Sequence, residues 1–316
     1  MIKRDSMKLF LIFIVSSTLW STVIAPKKSI GTSTPVLDMV VREGKIWAST
    51  DGGDILQIDV LGKILNKISL KPFINSWGEK TIPKAMSLDI SPDGKISVVA
   101  SEEGKLYLIR GREMKISSYQ TRSIIKKVAF ISNTQVILAL ISNEIVWFDL
   151  VANKVIATLS GGTSPLSDMA LSSDRKIAMI GGEAGVVTLI DTVKMKIIRQ
   201  ISGGNVDNIY KLDTQNGYIV TAGQDRRAIV YTVDGKHYVR YNGSFLIYSA
   251  SLSPRANRMA AAMDEQNAIS IFDTHSHQRI ALAQGHNATL NRIVFIDEKR
   301  FVSCADENKI LYWELP

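Results

Sequence analysis

Beyond residue 35 the chain alternates short apolar runs with polar punctuation, and one kind of run keeps returning. It is an apolar stretch that stops on a polar or acidic residue, at 55–59, 106–110, 145–149, 187–191, 229–232, 269–273 and 310–314. The runs end at Asp59, Arg110, Asp149, Asp191, Thr232, Asp273 and Glu314, so successive ends lie 51, 39, 42, 41, 41 and 41 residues apart. Each run is too short for a helix and is bounded by turn residues, which predicts strands. The unit starting at Asp168 shows the order: strand 168–171, polar turn 172–176, strand 177–180, the glycine-rich turn from Gly181 to Gly185, strand 186–191, and a fourth strand over 195–201. Units from Met86 and Ser249 repeat it, with first turns Ser91-Pro92-Asp93-Gly94 and Ser253-Pro254-Arg255-Ala256-Asn257.

A small sheet with two apolar faces cannot cover both alone, and stacking such sheets in a ring buries both. Seven units near a period of 41 residues therefore predict an all-β fold, a seven-bladed β-propeller. The last unit has three strands before Pro316, so an outer strand from about 23–34 is expected to complete it and close the ring. The expected division is a leader at 1–25 and one propeller domain at 26–316, with no Ser/Gly-rich linker between blades.

The leader reading comes from Lys3, Arg4 and Lys8, the apolar run 9–15, and the small residues up to Ala25. These are the parts of a secretory signal, and the apolar run falls short of the roughly 20 residues of a membrane span. Pro26 disfavours a cut after Ala25, which leaves a cut near Ser21 or Thr22, or an uncleaved anchor, open. The expected location is the periplasm. The mature chain is expected to be monomeric and to lack a membrane span. The single cysteine, Cys304, rules out an intramolecular disulfide. The net charge of +8 is spread along the repeats, which favours solubility over nucleic-acid binding.

The repeats resemble the WD40 class. Gly285 and His286 precede the last unit, Ser303 to Asp306 span its second strand and turn, and Trp313 sits in its third strand. The resemblance implies a structural hydrogen-bond relay of His286, Ser303, Asp306 and Trp313. The unit with Asp225 departs from the pattern, carrying Tyr231 in the third strand and no Gly-His before it. A narrower resemblance is carried by the segment 36–40, the inserted 73–80 with Ile82, Pro83 and Lys84, the triplet Ser142-Asn143-Glu144, and 205–211 followed by 222–227. Together these resemble the NapL family, periplasmic accessory proteins of the periplasmic nitrate reductase of epsilon-class proteobacteria. That resemblance implies a role in maturation, assembly or electron-transfer partnering.

No catalytic, cofactor-binding or metal-binding set emerges from the residues. There is no Gly-x-Ser-x-Gly elbow and no phosphate-binding glycine loop. The tryptophans do not converge on a quinone site, and His275 with His277 reads as a solvated turn. The expected partner is a protein. Candidate contacts are Phe73 and Trp77 in the insertion, which either anchor a partner or plug a blade edge, and Arg226 and Arg227, whose forks suit carboxylates. A scaffold for another envelope assembly, and a small-molecule-binding or hydrolytic propeller, are the alternative functions.

Overall fold

The computed structural model describes residues 21–316, and its regular structure is β-strand throughout. Seven sheets of four or five strands are present, with one separate two-stranded hairpin. Blades 1 to 5 occupy 36–69, 85–120, 125–160, 166–201 and 209–242, blade 6 occupies 250–283, and blade 7 occupies 290–314. The recurring runs of the sequence are the third strands of all seven. First strands of successive blades touch one another round the circle, blade 7 onto blade 1 included. They form the inner wall of a central channel.

The acidic ends of the third strands have a local cause. In Asp59, Asp149, Asp191 and Asp273, one carboxylate oxygen accepts two backbone N–H groups of the turn that follows. The third strand of blade 5 ends on Thr232, whose hydroxyl donates to Asp234 and accepts from His237 N. The first turns use serine in a similar way: Ser91 and Ser172 each donate to an aspartate two residues on and accept the N–H five residues on.

The core is not one mass. Seven apolar clusters each lie between two neighbouring blades. That is the outcome expected of sheets that cannot shield both faces alone.

The seventh sheet takes its outer strand from Lys28–Gly31, antiparallel to Lys309–Glu314, with Ile30 buried opposite Ile310. Lys27 N and Thr32 N extend the pairing to the carbonyls of Tyr312 and Asn308. One strand was not foreseen. Thr22–Ile24 adds in parallel to the outer edge of blade 6, against Arg279–Ala283. It falls inside the segment read as a leader, so sheet structure begins before residue 26. The rest of that leader, residues 1–20, lies outside the described residues.

Candidate functional site: the channel and its upper face

Antiparallel strand order puts the outer-to-inner connections and the second-to-third-strand turns on one face, here called the upper face. Two polar relays fasten this side. In blade 7, Trp313 Nε1 donates to Ser303 Oγ at 2.7 Å, and Ser303 Oγ lies 2.6 Å from His286 Nε2. His286 Nδ1 lies 2.5 Å from Glu307. Indole can only donate and carboxylate only accept, so the serine proton points to Nε2 and Nδ1 carries the other. Burial holds the His286 imidazole below its ordinary value, with Glu307 opposing, so the ring is neutral near pH 7.

The acid of this relay is Glu307, and Asp306 is corrected: it is exposed, and only its backbone N–H is engaged, by Thr289 O. The turn carries Asp306 outward before the chain returns to the relay. Blade 5 holds an equivalent set that the sequence reading missed. Asn205 Oδ1 accepts from Thr221 at 2.6 Å and from the Tyr231 hydroxyl at 3.5 Å, while Asn205 Nδ2 donates to Asp225 at 3.1 Å. Gly204-Asn205 thus stands where blade 7 has Gly285-His286. The glycine is needed, because a Cβ at Gly204 would lie 2.0 Å from the Tyr231 hydroxyl. The available signal was spacing: Thr221 to Asp225 and Ser303 to Glu307 are both four residues apart, and each aromatic lies ten residues beyond the hydroxyl.

Inner-strand carboxylates latch four pairs of neighbouring blades, 1 to 2, 2 to 3, 4 to 5 and 5 to 6. Asp38 accepts from Ser87 Oγ and Leu88 N, Asp89 from Phe130 N, Asp168 from Leu212 N, and Asp213 from Ser251 Oγ and Leu252 N. Cations then cross the channel. Lys127 Nζ meets Asp38 at 2.5 Å, and Arg292 bonds Asp168 at 3.0 Å while approaching Asp38 at 3.7 Å. Burial alone would raise the Asp38 carboxyl, yet Lys127 and Arg292 hold it down at about 2. Lower in the channel, Arg175 of blade 4 reaches Asp89 of blade 2 at 2.8 Å and also donates to Phe130 O. Its backbone sits at φ 59°, a conformation Gly94 occupies in the matching turn of blade 2, so the strain accompanies a cross-channel clamp. Below the upper ionic layer a cavity of about 230 Å³ opens, lined by Arg42, Asp89, Lys127, Asp213, Ser251 and Arg292 among others. Asp89 Oδ1 and Arg292 Nε on its lining, and Asp168 Oδ1, are buried without a hydrogen-bond partner among the described residues.

The inserted segment between blades 1 and 2 is a hairpin, Phe73–Ile74 paired with Lys80–Thr81. Asn75 organises its tip: its side-chain oxygen accepts from Trp77 N and Glu79 N, both at 2.9 Å, and its amide donates to Glu79. The base rests on Gly53, where a Cβ would meet Ile82 and Pro83 at 2.6 Å. The Lys84–Asp51 ion pair pins the exit. Trp77 stands 85% exposed and Ile74 64% exposed, while Phe73 is half-buried. Trp77 does not plug a blade edge.

Arg226 and Arg227 part company. Arg226 is exposed at the turn, whereas Arg227 folds back, donating to Gly204 O at 3.1 Å and lying 3.6 Å from Asp225. The expectation that both forks point outward is corrected for Arg227, since the blade 5 relay leaves a carbonyl and a carboxylate within its reach. In the same turn Gln224 accepts from Tyr210, which stacks on Tyr248 at 4.8 Å and 14°. Phe245 lies beside Tyr248 at 6.5 Å. His275 and His277 lie on the lower face, where His277 Nδ1 faces the Tyr241 hydroxyl at 3.3 Å. Among the described residues no three metal-ligating side chains gather. Cys304 is buried, and that burial pushes its thiol up to about 12. No family model and no curated protein sequence matches the chain.

Proposed function

We propose that the protein is a non-catalytic interaction scaffold acting outside the cytoplasm, with its upper face as the contact surface. The observation that carries this reading is the hairpin tip. Asn75 spends its side chain fixing the turn, and the result is a tryptophan held almost fully in water. A large apolar side chain on a self-bonded platform costs solvation in the free protein and gains it back when a partner covers it. The ionisable groups of the channel, by contrast, are largely consumed in blade-to-blade latches, which supports a scaffold over a hydrolase.

The finer reading is an accessory of a periplasmic nitrate reductase, in maturation, assembly or electron-transfer partnering. Its support is the combination of segments at 36–40, 73–84, 142–144 and 205–227, together with the leader-like start. A photo-crosslinking residue at position 77 is expected to capture a nitrate-reductase component in cells, and Trp77→Ala to lower co-purification of that component about tenfold or more. Gene deletion is expected to reduce nitrate-reducing activity or cofactor loading while the enzyme is still made. Capture of outer-membrane assembly proteins instead would move the scaffold to another envelope machine. Unaltered activity and loading in the deletion would end the nitrate reading.

A further inference from the structure

We infer that the upper mouth of the channel seats an acidic segment of a partner protein, gripped by Lys126 and Lys211 beside the Tyr210–Tyr248 stack. The inference rests on the interaction reading above and adds the partner's chemistry. The inner-strand starts bring together four cations, Lys126, Lys127, Lys211 and Arg292, against two carboxylates, Asp38 and Asp168. Lys127 and Arg292 are taken up by those carboxylates. Lys126 and Lys211 are half-buried, and neither forms an ion pair among the described residues. Further down, Arg42 and Arg175 are matched by Asp89 and Asp213, so the surplus positive charge belongs to the mouth.

The sheet geometry aims these groups. A register shift lies between Ile125 and Lys127, and another between Ile209 and Lys211, so Lys126 and Tyr210 occupy the same bulged position in their blades. Burial and the neighbouring Lys211 push the Lys126 ammonium below its ordinary value, with Asp168 opposing. Two partly dehydrated cations facing one channel gain most from an incoming anion. The aromatic stack decides which anion. Tyr210, which precedes Lys211 in the inner strand of blade 5, stacks on Tyr248 with Phe245 beside it, an apolar shelf suited to the side chain flanking a carboxylate. Glu144, Glu183 and Asp207 stand on the same face around blades 3 to 5, which disfavours an extended polyanion such as a nucleic acid.

The test is an array of short synthetic peptides carrying aspartate or glutamate next to an aromatic, with the matching asparagine and glutamine peptides and a single-stranded oligonucleotide as competitors. The full chain is expected to bind acidic peptides in preference to their amide counterparts. Lys126→Gln and Lys211→Gln are each expected to weaken this about tenfold, with partial rescue by arginine at either position. Lys63→Gln and Lys194→Gln, on the lower turns, serve as controls and leave binding unchanged. Melting curves check that every variant folds. Overturning results are equal binding of acidic and amide peptides, binding indifferent to the Lys126 and Lys211 changes, or preferential capture of the oligonucleotide. If those occur while crosslinking at position 77 still captures a protein, this inference fails and the scaffold reading stands.

Discussion

At the residue scale, the relays show how a propeller tolerates buried polar groups: every donor meets an acceptor in a fixed order. Ser303 is the hinge of that order in blade 7, accepting from Trp313 and donating to His286. Ser303→Ala leaves a buried indole N–H and a buried imidazole nitrogen unpaired, with an expected cost of about 3 kcal/mol in urea unfolding. Two neighbouring carboxylates provide the contrast. Glu307→Ala is expected to cost about 1–2 kcal/mol, because His286 loses its acceptor. Asp306→Ala is expected to stay within about 0.5 kcal/mol, since its side chain points to water. Equal effects at the two positions would contradict the assigned relay. Blade 5 joins the equivalent positions by a different order of bonds, with Asn205 accepting from both Thr221 and Tyr231 and donating to Asp225, so the relay is a placement before it is a motif. The acid of blade 7 was misread because two acidic residues adjoin in one turn, and composition alone does not say which faces inward.

Among elements, the N-terminal segment does two jobs. Lys28–Gly31 completes blade 7, and Thr22–Ile24 covers the open edge of blade 6. Their burial differs: Ile30 is inside, while Thr22 and Val23 face solvent. Removing residues up to Gly31 is expected to cost roughly 3–5 kcal/mol, from one buried isoleucine and a ladder of backbone bonds. Removing only residues up to Ile24 is expected to cost about 1 kcal/mol. Denaturant midpoints of the two truncations test this, and similar midpoints would mean that the blade 7 pairing is not what closes the ring. An outer strand from this part of the chain was legible because the last unit stops one strand short. The parallel strand on blade 6 was not, since parallel addition to an edge needs no turn signal and no apolar alternation. The hairpin at 73–81 was visible as extra length, but only its self-bonded turn shows that Trp77 points away from the blades.

For the whole molecule, the ring is held by its apolar interfaces and by ionic cross-braces through the channel. Asp38 belongs to blade 1, Lys127 to blade 3, Asp168 to blade 4 and Arg292 to blade 7, so no blade makes the brace alone. The Asp38 carboxyl sits at about 2 in the folded protein against an ordinary 3.8. Above about pH 4 it is charged in both states and its pairing contributes in full. As pH falls from about 4 towards 2 the unfolded chain takes up the proton first, and about 2 kcal/mol is lost. Stability of the wild type should therefore fall through this window more steeply than that of Asp38→Asn, which is already weaker at pH 7 because Lys127 is left buried without its counter-charge. Parallel pH profiles for the two proteins would show that the brace does not carry this dependence.

The blade count and the strand order within a blade were determined by the sequence itself. Each follows from a local pattern of apolar positions and turn residues that a single sheet must satisfy, repeated down the chain. The acid of the relay, the inward turn of Arg227, the ionic brace and the lysines at the channel mouth that meet no carboxylate among the described residues were decided only by the tertiary structure. They join residues on different blades, or choose between adjacent residues in one turn. Which charges meet across a channel depends on the angular positions of the blades and the bulge that aims each inner strand, and neither leaves a periodic trace along the chain.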